Sequence, residues 1–426
     1  MENISNNPEL NKTIDHLFRN EAGKMVVVLT RLFGFSNIEQ AEDIVQDTIL
    51  KALQTWKYGK IPENPQAWLY MTAKNNAIDF IRRNKLKYKI ENEISVLLKS
   101  EYTLVPTINE MFTEGEIKDS QLRMMFACCN PQVSEENQIT LILKTLCGFS
   151  TAEIAKTFLT SEDTISKRLY RTKEFFRNEK IKLEIPSAIE LQSRTKSVLN
   201  SIYLLFNEGY NSTHTEKLIR EDLIEEAIML CKLLTENKHT QLPQVFAMMA
   251  LMYFHSSRSK SRLTSEGEII LLPYQDRSKW NVELIALGNQ YMNKAAFGKE
   301  ISSYHIEAAI AYEHCIAKSL ISTNWKRILE LYEWLCKIST SPISELNKTI
   351  VVMQVHGAEK ALQAVELISD KKKLESFYLY HSLLGEIHAR LQHSTEAKKH
   401  FETAIQLTQS ITEKKMLKDK IVALLN

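Results

Sequence analysis

The chemistry on offer in this sequence is charge and surface rather than bond-making. From Ser161 to Arg177, Lys167, Arg168, Arg171, Lys173 and Arg177 gather on one helical stretch. A helix carrying cations at that spacing suits the phosphates and base edges of nucleic acid. A second set lies near the start. Trp56, Tyr58, Trp68 and Tyr70 lie in and beside a loop broken by Pro62, Asn64 and Pro65, and Arg82, Arg83, Lys85, Lys87 and Lys89 follow. Aromatic rings beside cations can stack bases while holding the backbone. A third set is acidic: Asp43, Gln46, Asp47 and Leu50 fall at i, i+3, i+4 and i+7, a polar ridge with one leucine that fits a partner helix. Each set has a plain alternative. These are a solvated helical hairpin, core packing of Trp68, and a solvated helix face.

Bond-making motifs are missing. No Gly-rich phosphate loop, nucleophile elbow or metal-ligand cluster occurs, so neither enzyme activity, cofactor nor metal is expected. Cys128 and Cys129 are adjacent, which on a helix points them about 100° apart, too far to ligate one ion comfortably. They read as small core residues. His381, His388 and His393 lie near one another, but His381 and His388 occupy ordinary positions of a helical repeat.

The elements that must carry these sets all read as helical. Ile154, Ala155 and Phe158 form one apolar stripe; Ile165, Leu169 and Phe176 form the next. Between them Ser161 is a natural N-cap, with Glu162 and Asp163 where the helix dipole favours acids. This is a helix-turn-helix. Upstream, helices are expected over Asn11–Leu32, Ala41–Trp56 and Gln66–Arg83, with Gly34 ending the first. The mixed, acidic stretch Glu91–Lys118 is a linker, and helices follow from Asp119 and from Glu135. Beyond Pro186 the chain again reads helical.

Composition agrees. The chain has 426 residues, 44% hydrophobic and 25% charged, with 11 Gly and 9 Pro, which disfavours turn-rich sandwiches and barrels. Net charge is +2, so any nucleic-acid surface must be local. The longest apolar run, Val245–Phe254, is too short to span a bilayer, and no signal peptide or Cys-x-x-Cys pair is seen. A reduced, cytoplasmic protein without membrane attachment is expected.

The series AEDIVQDTILKALQTW, then NPQAWLYMTAKNNAIDFIRR, then the helix-turn-helix resembles RNA polymerase sigma factors of the extracytoplasmic-function type, over about Asn11–Lys182. A-E-D-x-V-Q-D-T is similar to their polymerase-clamp-binding helix. A-W-L-x-x-x-A-x-N-x-x-x-D-x-x-R is similar to their promoter-melting helix. The resemblance implies that Asp43, Gln46, Asp47 and Leu50 dock on core RNA polymerase. It implies that Tyr58, Asn64, Trp68 and Asn75 read and open the downstream promoter element, with Arg82, Arg83, Lys85 and Lys87 on phosphates. Thr164, Lys167, Arg168 and Arg171 would contact the upstream element. The phrases YLLFNEGYNST (Tyr203–Thr213) and QDRSKW (Gln275–Trp280) further resemble the group with a fused C-terminal tetratricopeptide-like extension. Leu384, Gly385, Ala397, Phe401 and Ala404 fall at the spacing of such a repeat, and a weaker copy covers Leu346–Ile368.

The expected architecture is all-α. Sigma region 2 covers residues 8–90, a linker 91–118, and region 4 with its helix-turn-helix 119–183. A larger helical, solenoid-like extension covers 187–426. The extension would regulate in cis and bind a peptide or protein. Within it, Asn207, Glu208, Asp276, Arg277 and Trp280 are a candidate interdomain latch or ligand clamp. The plain alternative is a capped helix end with a buried ion pair. The rival for the whole chain is a helix-turn-helix repressor or scaffold with a tetratricopeptide-like interaction domain, independent of polymerase.

Overall fold

The computed structural model describes residues 8–56, 61–84, 97–98, 100–158, 160–211, 219–264, 270–298, 300–339, 341–369, 371–408 and 411–424. Helices dominate these residues and no strand occurs among them. The chain forms two compact units, Met1–Leu205 and Phe206–Asn426.

The first unit begins with α1 (Pro8–Phe33), α2 (Ile38–Trp56) and α3 (Pro65–Asn84). Their apolar periods meet in one core. Met25, Val28, Leu29 and Leu32 come from α1, Ile44, Val45 and Ala52 from α2, and Leu69, Ala73, Ala77 and Ile81 from α3. The two alanines on α3 let its backbone approach the other helices closely. Within the stretch expected as linker, Glu101–Met111 is a helix, α4. Its Leu104, Ile108 and Met111 recur at i, i+4 and i+7 and enter the same core. Burying leucine-sized side chains contributes roughly 2 kcal/mol each, so α4 is tied to the first three helices.

Next come α5 (Glu114–Cys128), α6 (Glu135–Thr145), α7 (Thr151–Thr157) and α8 (Glu162–Asn178). Cys128 and Cys129 are buried here, and desolvation raises both thiols, Cys129 to about 12. Protonated, uncharged sulfurs suit an apolar core. The first part of α9 (Ala188–Tyr210) belongs to this unit as well. Arg194 donates to the Phe126 carbonyl at 2.5 Å, and the Ser201 hydroxyl donates to Gln138 at 3.0 Å.

The second unit continues with α10 (Glu221–Glu236), α11 (Pro243–Ser256), α12 (Val282–Ala295), α13 (Ser303–Ile316), α14 (Trp325–Ile338) and α15 (Pro342–His356). It ends with α16 (Ala358–Glu366), the single turn α17 (Lys371–Leu374), α18 (Tyr378–Arg390), α19 (Ser394–Leu407) and α20 (Ile411–Ala423). Sequential helices pack as neighbours: α14 on α15, α15 on α16, α18 on α19 and α19 on α20. Three apolar clusters succeed one another along them, around Ile306–Val351, Leu346–Ile387 and Ala397–Leu417. The α18–α19 hairpin shows why a glycine stands in its middle. A Cβ on Gly385 would lie 2.5 Å from the Phe401 ring, which is 1% exposed. The missing side chain is the space the ring occupies.

One segment departs from the helical reading. Residues 270–281 contain two single-turn 3-10 helices, Leu272–Tyr274 and Arg277–Lys279. Pro273 cannot donate to a helical ladder. Asn281 then caps α12 by accepting from the Glu283 and Leu284 amides, so this helix begins after the charged residues. Among the described residues, no helix is long and apolar enough to cross a membrane.

Candidate nucleic-acid and partner interface

The three residue sets singled out by chemistry all fall in the first unit. On α2, Ile44, Val45, Thr48 and Ala52 are buried, while Asp43, Gln46 and Asp47 are exposed. Leu50 leaves 53% of its surface in solvent and Leu53 46%. The helix is thus two-faced: one side is core, and the other is a row of acids beside uncovered leucine. Thr48 and Asn76 fix its pairing with α3. The Asn76 amide donates to the Thr48 hydroxyl at 3.1 Å and accepts from Lys51 at 2.7 Å.

On α3, Asn64 is the N-cap; its side-chain oxygen accepts from the Ala67 amide at 2.9 Å. Trp68 is half-buried, edge-on to Trp56 at 5.5 Å, and Trp56 stacks on Phe18 at 5.2 Å. Trp68 is therefore part of the packing and still partly open to solvent. Asn75 and both Arg82 and Arg83 are exposed; Arg83 lies 3.9 Å from Asp79. Tyr58, Lys85 and Lys87 lie outside the described residues.

A buried acid that the pattern of the chain does not announce holds α1 to α3. Glu21 is 3% exposed. Its carboxylate accepts from the Tyr70 hydroxyl at 2.5 Å, Gln66 at 3.1 Å and Lys24 at 2.9 Å. Burial, and then the Glu21 charge, push the Tyr70 phenol above its ordinary range. Three donors satisfy the carboxylate, as a buried charge requires.

The helix-turn-helix is formed by α7 and α8. Ser161 caps α8 by accepting from the Thr164 amide at 3.2 Å. Ile165, Leu169, Thr172 and Phe176 are its buried stripe. The cations of α8 divide into two groups. Thr164, Lys167 and Arg171 are exposed on its N-terminal half, with Tyr170, 65% exposed, among them. Tyr170 is thus an open aromatic between two cations, set there by its i+3 offset from Lys167. Arg168 instead turns back to Glu136 at 2.9 Å and lies over the Phe158 ring at 5.7 Å. Farther along, Lys173 reaches both carboxylate oxygens of Glu42 at 2.7 and 2.8 Å, and Arg177 those of Glu39 at 2.9 and 3.0 Å. Phe176 packs against Phe35 at 4.9 Å. A second tie joins α1 to the helix-turn-helix: Arg19 pairs with Glu153 at 2.5 Å and covers Phe149 at 4.7 Å. Backbones meet there, since a Cβ on Gly148 would lie 2.3 Å from the Arg19 carbonyl.

Residues 17–86, which hold the acidic ridge and the aromatic loop, match the family model described as Sigma-70 region 2. The chain is 30% identical over 132 residues to the ECF RNA polymerase sigma factor SigL of Mycobacterium tuberculosis, covering 31% of this chain and 69% of that one.

The chain belongs to the sigma-70 family.

It is also 28% identical to the RNA polymerase sigma factor SigV of Bacillus subtilis over 142 residues, 33% of this sigma-70 family member and 76% of SigV. A longer similarity runs to the uncharacterized protein R00370 of Rhizobium meliloti: 32% identity over 381 residues, 89% of this chain and 88% of that protein. The extra length includes residues 194–296, which match a family of unknown function, DUF6596. No solved structure matches the chain.

In the second unit, Arg277 and Trp280 come together while Asp276 does not join them. Arg277 lies 4.9 Å from the Trp280 ring centroid and donates to the His314 and Ala317 carbonyls at the end of α13. Asp276 is exposed and accepts from the Ser278 amide and hydroxyl. Asn207 and Glu208 are half-buried on α9. Among the described residues, no group of three or more His, Cys, Asp or Glu is arranged to hold a metal ion.

Proposed function

We propose that this chain is a sigma factor of the extracytoplasmic-function type that binds core RNA polymerase and directs initiation at specific promoters. One observation carries the reading. Within the residues that match Sigma-70 region 2, α2 keeps Asp43, Gln46, Asp47 and Leu50 in solvent while its other face is fully used in the core. A partner helix is the natural occupant of such a row.

In this reading Trp68, Asn75, Arg82 and Arg83, with Tyr58, Asn64, Lys85 and Lys87, belong to the surface that opens the downstream element. Aromatic rings stack bases, and the cations hold phosphates without choosing sequence. Residues 119–183 form the upstream reader. The exposed part of α8 nominates Thr164, Lys167 and Arg171, joined by Tyr170, for the groove. Arg168 positions α8 against α6. The second unit, with its successive helical hairpins and the Gly385–Phe401 fit, is a tetratricopeptide-like extension that regulates the first and takes a protein or peptide partner.

The test is transcription in vitro with purified core polymerase and a cognate promoter. The full chain is expected to support initiation. Lys167→Ala with Arg171→Ala is expected to reduce it at least about 30-fold, because each lost groove contact is worth roughly 1–3 kcal/mol. Both side chains are exposed, so the fold should be unchanged by circular dichroism. Undiminished output from the double variant would remove α8 as the reader. A truncation after Leu205, which keeps the α9 residues that bind Phe126 and Gln138, reports the sign of regulation by its rise or fall in output.

A further inference from the structure

In the second unit, unexplained cationic chemistry gathers where α11 ends. Arg258 and Arg262 both face Tyr210, their guanidinium carbons 5.8 and 3.9 Å from its ring centroid. Arg258 Nε donates to the Tyr210 hydroxyl at 2.7 Å. Arg262 donates to the Tyr210 carbonyl and, at 2.5 Å, to Asn211 Oδ1. The positive charge of Arg258 also acts on Arg277, His255 and His314, making protonation of each less favourable. Five groups able to carry positive charge therefore share one neighbourhood.

Nothing described there neutralises them. All three arginines are half-buried, and among the described residues none has a carboxylate within ion-pair distance. Elsewhere in the same unit partly buried cations are matched: Arg220 lies 2.7 Å from Asp222, and Lys420 2.6 Å from Glu386. Each arginine also has a different share of its donors engaged. Arg277 uses both η nitrogens, on two carbonyls and on the Thr323 hydroxyl at 3.2 Å, so it caps α13. Arg258 is held by Nε alone, and its two η nitrogens have no partner among the described residues. Beside this cluster, three buried ring nitrogens have no hydrogen-bond partner among the described residues: His255 Nδ1, His314 Nδ1 and Trp280 Nε1. Trp280 is 4% exposed and lies under Arg277. Burial first, and then Arg258, hold His314 down to about 3, so at neutral pH its ring is uncharged.

Like charges brought together under partial burial repel, and shielded polar atoms without partners cost free energy. A bound anion offsets the repulsion among the arginines. A guanidinium fork held by aromatic faces and carbonyls is already ordered, so little freedom is lost when two oxygens meet it. We infer that Arg258, together with Arg262 and Arg277, forms a binding site for a small ligand bearing a carboxylate or phosphate group. Tyr210 and Trp280 orient the arginines.

The experiment is titration of the full chain with inorganic phosphate and, separately, with succinate. Ionic strength is held constant with sodium chloride, and the thermal midpoint and Trp280 fluorescence are followed, with Trp280→Phe as the spectral control. A saturable rise of several degrees is expected with at least one anion, and none with chloride. Response to phosphate alone identifies a phosphate site, and response to succinate alone a carboxylate site. Arg258→Gln is expected to weaken binding at least about tenfold, since a charge-assisted hydrogen bond is lost. If that variant does not fold, Arg258→Lys, which keeps the charge and loses the fork, is expected to weaken binding severalfold. No saturable response to either anion overturns the site, as does a response unchanged in the Arg258 variants. Binding is read without polymerase or DNA, so a failed titration leaves the reading of the first unit untouched.

Discussion

Asp43→Arg combined with Asp47→Arg is expected to abolish capture of core RNA polymerase, weakening it by about 100-fold or more. Both carboxylates stand in solvent on the side of α2 that no core residue uses. Replacing them removes no packing, so stability should change by less than about 0.5 kcal/mol each. At an interface the change is much larger. Two attractions become two repulsions, and opposed charges of one sign cost several kcal/mol. Leu50→Ala is the apolar counterpart. With 53% of its surface uncovered in the free chain, Leu50 has most of its burial still to gain from a partner. Its loss should weaken capture roughly fivefold to tenfold, at about 1 kcal/mol or slightly more. A pull-down with purified core polymerase measures both, with Lys167→Ala as the control expected to bind normally. Undiminished capture by the double arginine variant would remove α2 as the docking helix.

The helices themselves were largely legible because their causes are local. Ile44, Val45, Thr48, Ile49, Ala52 and Leu53 recur with the helical period as an inward face; the structure buries Ile44, Val45, Thr48 and Ala52, half-buries Ile49 and leaves Leu53 46% exposed. Ser161 followed by Glu162 and Asp163 announces a helix start, and the Ser161 hydroxyl accepts from the Thr164 amide. Gly385 opposite Phe401 follows from small-against-large spacing. What could not be read are the partners of long polar side chains. Arg168 and Lys167 are neighbours of similar chemistry, yet one folds back on Glu136 while the other stays in solvent beside Asp163. That choice depends on where α6 lies, and no local pattern encodes it. Arg277 was read beside Asp276 because they are adjacent in sequence. Asp276 instead closes its own turn with Ser278, and Arg277 finds the free carbonyls at the end of α13. The buried Glu21 was invisible for the same reason: its three donors come from residues as far away as Tyr70.

The pairs between α2 and α8 carry the second large effect. Lys173 and Glu42 are only 12% and 18% exposed, and Lys173 reaches both carboxylate oxygens. A partly buried pair of this kind is weak support when intact but expensive to break, because one charge is left shielded and unmatched. Arg177 and Glu39, at 44% and 42%, are screened by solvent and contribute less. Glu42→Lys should therefore destabilise the first unit by about 2–3 kcal/mol, as should Lys173→Glu. The swapped double variant, Glu42→Lys with Lys173→Glu, should recover more than half of the combined loss, since the pair is restored with its order reversed. The same cycle at Glu39 and Arg177 should yield a coupling below about 1 kcal/mol. Urea unfolding of the full chain, followed by a probe in the first unit, measures both cycles. Additive losses at Glu42 and Lys173 would mean that α8 does not rest on α2 in solution. A large coupling at this pair would show that Glu42, next to Asp43 in the proposed docking row, is engaged in the free chain by α8, the helix proposed to read DNA. Polymerase and promoter would then compete with an internal contact for the same two helices.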